Sequence, residues 1–74
     1  MKRKVIDEWK PLVNKDFYIL TLDEIIALSE ANYTSYQIDG VIYKPISISN
    51  SIKGIKCIAL EGKGGFVGKE VEFI

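Results

Sequence analysis

Gly62-Lys63-Gly64-Gly65 is the stretch of this chain whose residue types come nearest to chemistry. Glycines let backbone amides converge and a lysine adds positive charge, the combination that cradles a phosphate. The spacing matches neither the dinucleotide fingerprint nor the P-loop, and the stretch lies between two strand-like segments where those motifs open a helix. Gly65-Phe66-Val67-Gly68 has the bare G-x-x-G spacing of a single-strand RNA clamp, yet no helical pattern flanks it. The favoured reading is therefore a flexible hairpin loop; the alternative is a nucleotide or metabolite held by Lys63 and the neighbouring amides of Gly64 and Gly65.

Elsewhere the residue types for catalysis are missing. The chain has no histidine, so it lacks the side chain best suited to proton transfer near neutral pH and the commonest metal ligand. Cys57 is the only cysteine, which rules out an internal disulfide and a zinc site of cysteine and histidine ligands. Its surroundings, Gly-Ile-Lys-Cys-Ile-Ala-Leu, read as a strand in which cysteine serves as a small hydrophobe. The carboxylate pairs Asp7/Glu8 and Asp23/Glu24 read as solvated or helix-start charges. The expectation is a protein with no catalytic residues, no cofactor and no metal.

Aromatic side chains offer a lead to binding. Trp9, Tyr18, Tyr33, Tyr36 and Tyr43 combine apolar area with a polar tip, as interface residues do. Tyr33, Tyr36 and Tyr43 fit a core lining, whereas Tyr18 is expected to face away from Phe17 and Ile19 as a surface ring. Lys44, Lys53, Lys56, Lys63 and Lys69 would suit single-stranded nucleic acid if gathered on one face, but acidic residues are interspersed among them.

Charge excludes further classes. Ten basic and ten acidic side chains cancel, so no global field draws the chain to nucleic acid or an anionic membrane. The basic start, Lys2-Arg3-Lys4, is followed at once by Asp7, Glu8 and Lys10, without the apolar segment of a secretory leader. No apolar run approaches the roughly 18 residues of a membrane span, and a cytoplasmic location is expected. Nine lysines to one arginine and twelve isoleucines to three alanines point to AT-rich coding, as in a low-GC bacterium, its phages or its mobile elements.

Several elements can be read from the spacing of apolar residues. Thr21-Leu22-Asp23-Glu24 has the form of a capping box, and Leu22, Ile25, Ile26, Ser29 and Tyr33 follow at helical spacing, predicting a main helix over 21–32. Val5, Ile6 and Trp9 predict a short N-terminal helix that stops before Pro11. Tyr36 to Tyr43 with Asp39-Gly40 at its centre predicts a hairpin on a type I′ turn. Ile46 to Ile52 alternates as an edge strand with Ser47 and Ser49 facing water, ending in a turn near Asn50-Ser51. Gly54 to Leu60 reads as a central strand, and Glu70 to Phe73 as a last strand with Val71 and Phe73 inward. Leu12 to Leu20 and Phe66 to Ile74 share a pattern in which Asn14 and Gly68 precede a strand, so both are expected to bend the chain with positive φ.

The resulting expectation is a single α+β domain over 1–74: a curled antiparallel sheet of about five strands, closing toward a small barrel, packed on one main helix. Its expected work is binding another protein, in the manner of a phage or mobile-element inhibitor or accessory protein, through Tyr18, the edge around Ser47 and Ser49, or the loop of Lys63, Gly64 and Gly65. Single-stranded nucleic-acid binding and nucleotide sequestration are the alternatives, and the edge strand also admits pairing between copies of the chain.

Overall fold

The computed structural model describes residues 1–46 and 51–74. Within them lie six strands: β1 (Lys2–Trp9), β2 (Phe17–Ile26), β3 (Tyr36–Ile38), β4 (Val41–Tyr43), β5 (Ile55–Glu61) and β6 (Glu70–Phe73). They form one sheet in the order β4-β3-β6-β1-β2-β5, with antiparallel pairing throughout. Ile46, three residues after β4 at one end of that order, bridges Ala59 of β5 at the other, so the sheet curls toward closure. Its concave side holds the core, with Val5, Leu20, Leu22, Ile58, Leu60 and Val71 at or near zero exposure.

The main helix over 21–32 does not form. Residues 17–26 are the longest strand, and the only helical turn after it among the described residues is a three-residue 3-10 segment, Leu28–Glu30. The apolar positions of 20–26 satisfy both periods, but strand pairing on two sides, with β1 and with β5, satisfies the backbone groups that point to either side and outweighs a local cap. A shift in register between Thr21 and Ile26 returns Ile26 to the core after the exposed run Asp23-Glu24-Ile25. Asp23 accepts a hydrogen bond from the Lys4 amide at 3.0 Å instead of starting a helix. The N-terminal helix is likewise replaced, by β1, and Pro11 lies in the turn that follows.

Other expectations hold. Asp39 (φ 51°) and Gly40 (φ 78°) make the tight turn, setting Ile38 opposite Val41 and Tyr36 opposite Tyr43. In β6, Val71 and Phe73 are buried and Glu70 and Glu72 exposed. Two further readings are corrected. β5 ends the sheet order instead of lying centrally, with only the Ile46 bridge on its outer side among the described residues. Gly68 takes a positive φ of 86° but Asn14 does not, so the two similar segments share no common bend. Among the described residues no helix is long and apolar enough to cross a membrane.

Candidate functional site

One irregularity in β1 decides which side chains reach the surface. Val5 pairs with Leu22, but Asp7, Glu8 and Trp9 pair with Thr21, Leu20 and Ile19, so Ile6 is an extra residue, a β-bulge. Simple alternation from Val5 would send Asp7 and Trp9 inward and Glu8 outward. Beyond the bulge the faces are exchanged. Glu8 lies on the concave side opposite Leu20, and Trp9, about half exposed, lies on the convex side opposite Ile19.

On the concave side Glu8 meets the glycine-rich loop. Its carboxylate accepts hydrogen bonds from the amides of Gly65 (2.9 Å) and Phe66 (2.6 Å). Gly64 and Gly65 both take φ near 80°, the left-handed region that aims successive amides at one point. A methyl carbon built on Gly64 would stand 2.8 Å from Tyr18 Cζ and 3.0 Å from Glu8 Oε2, so only glycine fits against these two side chains. Two loop amides thus converge on an anion, but they are those of Gly65 and Phe66 without Lys63, and the anion is the chain's own carboxylate. The loop is also not a hairpin: it crosses from β5 at the sheet's end to β6 between β1 and β3. Midway it drops Phe66 into the core, edge-on to Tyr43 with ring centroids 5.7 Å apart.

Tyr18 is on this concave side too. It pairs with Leu60 in β5, packs against the core, and is half-buried beneath Gly64 with the Lys10 ammonium 5.9 Å from its ring centre. The expectation of Tyr18 as an outward surface ring is corrected: it does face opposite to Phe17 and Ile19, but they take the convex face and Tyr18 the core side. The structure thus gathers Tyr18, Gly64 and Gly65 in one place. Lys63 points to a different feature, described below, and Ser47 and Ser49 lie outside the described residues. The turn expected near Asn50-Ser51 falls partly there; Ser51 itself bridges Gly54 around Ile52-Lys53.

The convex side divides into two halves. Over β1, β6, β3 and β4 a ladder of Lys2, Glu72, Gln37 and Ile42 runs across the strands, with Lys2 3.6 Å from Glu70. Beside it the exposed Asp39 and Lys69 pair, and this bond to the carboxylate raises the lysine's affinity for its proton. Over β1, β2 and β5 the corresponding row is apolar: Trp9 pairs with Ile19, Ile19 with Ala59 and Ala59 with Ile46. Ala59, at the middle of the row, is fully covered although it points away from the core. The next row pairs Phe17 with Glu61, and on the other side Thr21 meets Cys57, Oγ1 to Sγ at 3.8 Å.

Alongside Phe17 the surface opens into a cleft of about 760 Å³ lined by Leu12, Phe17 and Ile46, with Lys15, Asp16, Glu61 and Lys63 around it. Asp16 is held by Lys10 at 3.5 Å. Lys15, Lys63 and Glu61 have no ion-pair partner among the described residues. Ile46 also lines a smaller adjoining hollow with Ile42, Tyr43, Lys44 and Glu61.

No conserved-family model, no curated protein and no solved structure matches this chain. Among the described residues no three histidine, cysteine or carboxylate side chains gather as a metal-binding group.

Proposed function

We propose that this chain is a small non-enzymatic binding protein that contacts another protein through the convex face of β1, β2 and β5. The observation that carries the reading is the bulge at Ile6, which turns Trp9 outward into a transverse apolar row with Ile19, Ala59 and Ile46. A bulge costs ladder pairing, and bulges recur where a side chain must be re-aimed. Turning a tryptophan to solvent gives up burial, and tryptophan is the residue type that most often anchors protein interfaces. On the neighbouring half, Ile42 apart, the ladder is charged or polar, and Lys2 and Lys69 already pair with Glu70 and Asp39, so the apolar half with the half-exposed Trp9 is the better-suited contact face.

The composition favours a cytoplasmic inhibitor or accessory protein of a phage or mobile element as the form of this activity. Nucleotide sequestration at the glycine-rich loop has less support, because Glu8 already occupies two of its amides. The test is comparative affinity capture from host lysate, wild type against Trp9→Ser, with partners identified by mass spectrometry. A partner retained by the wild type and lost by the variant is expected. Retention of the same partners by both proteins would refute the face, and retention of none by the wild type would refute the function.

A further inference from the structure

We infer that the cleft at Leu12, Phe17 and Ile46 receives an acidic, apolar peptide segment of the partner protein: a large hydrophobic side chain flanked by carboxylates. This rests on the protein-binding reading above and adds the chemistry of what is bound. The cleft floor is apolar and carries one aromatic ring, and it continues at Ile46 into the row that ends at Trp9. Its rim carries two cations with no ion-pair partner among the described residues, Lys15 and Lys63, against one likewise unpaired acid, Glu61, since Lys10 already holds Asp16. Lys44, beyond Ile46, adds a third cation beside the same acid. Charge complementarity therefore calls for carboxylates on the visitor.

The shape and chemistry of the cleft set other occupants aside. A small-molecule site encloses its ligand and converges several polar groups on it, whereas this cleft is broad and continuous with a sheet face. A nucleic-acid strand needs a run of cations with stacking rings, and here Glu61 and Asp16 stand among the lysines beside a single phenylalanine.

The experiment is selection of a displayed random-peptide library on the immobilised protein, with the double variant Lys15→Glu/Lys63→Glu for counter-selection. Both positions are exposed, and far-UV circular dichroism of the variant checks that its sheet is intact. Enriched peptides are expected to pair an aromatic or large aliphatic residue with at least two acids. They should bind the charge-reversed variant about tenfold more weakly than the wild type and weaken as salt rises. Amide chemical shifts should move at Lys15, Phe17, Gly62 and Lys63. Enrichment of neutral or basic peptides, equal binding to the two proteins, or no enrichment at all would overturn the inference. Tighter binding of an oligothymidylate at the same amides, or concentration-dependent self-association that moves them, would replace the peptide with a nucleic acid or a second copy. Because the lysate capture depends on Trp9 and this selection on Lys15 and Lys63, failure of the peptide chemistry alone leaves the protein-binding reading standing.

Discussion

Glu8 shows how much a single side chain can decide. Its carboxylate supplies the negative charge on which the Gly65 and Phe66 amides converge, so the crossover from β5 to β6 is closed from within. Glu8→Ala removes both acceptors and leaves the half-buried Phe66 amide unpaired. The expected cost is about 1–3 kcal/mol, measured by urea unfolding, with the amides of Gly65 and Phe66 losing protection. A change within about 0.5 kcal/mol would mean that the loop is held by Phe66 packing alone. At the other end of the core Tyr36 stands against Tyr33 and Phe73 with ring centroids 5.6 and 5.5 Å away. Burial, then the neighbouring Tyr33, pushes the Tyr36 hydroxyl well above the ordinary tyrosine range, and burial raises Tyr33 as well. A raised folded-state value means the native protein keeps protons that the unfolded chain releases, so stability is full below about pH 10 and falls as pH rises beyond it. Tyr36→Phe should flatten that alkaline loss in melts followed from pH 8 upward, to about pH 11. An unchanged alkaline slope would place its origin elsewhere.

At the scale of the elements, pairing on both sides distinguishes β2 from every edge. β2 bonds β1 and β5, whereas β4 bonds β3 alone among the described residues. Hydrogen exchange should therefore be slowest near Leu20 and Thr21 and fastest in Val41–Tyr43; equal protection would contradict the strand order. The same contrast explains what could be read in advance. The β3–β4 hairpin was legible because Asp39-Gly40 encodes its turn locally, and β6 because its alternation is unbroken. β2 was not, since Leu22, Ile25 and Ile26 fit a helix as well as a bulged strand, and the decision came from partners distant in sequence. β1 was obscured for a related reason. Its bulge breaks the alternation that would have marked a strand, and it also hides Trp9 among residues that appear inward. The convex row was not legible in the sequence, because Trp9, Ile19, Ala59 and Ile46 meet only through three separate registers. Of the described residues proposed for binding, Tyr18, Gly64 and Gly65 do cluster, but as a closure of the core, whereas Lys63 reaches the cleft.

For the molecule as a whole, a chain of 74 residues has little stability in reserve, about 4–11 kcal/mol by the usual per-residue range. Its concave side is one continuous core, with Leu20 fully buried opposite Ile58 and Glu8. Leu20→Ala should cost about 2–5 kcal/mol and shift the urea midpoint sharply downward. A milder loss would indicate that the curled sheet can collapse around the gap. One more consequence lies in the strand order, where β6 sits between β3 and β1. Apart from the Ile46 bridge, β3–β4 and β1–β2–β5 are joined only through that strand among the described residues, so Lys2 and Tyr36 meet Glu72 and Phe73 once β6 is in place. Insertion of β6 is thus the seam of the molecule, the step that turns two sub-sheets into one curled wall.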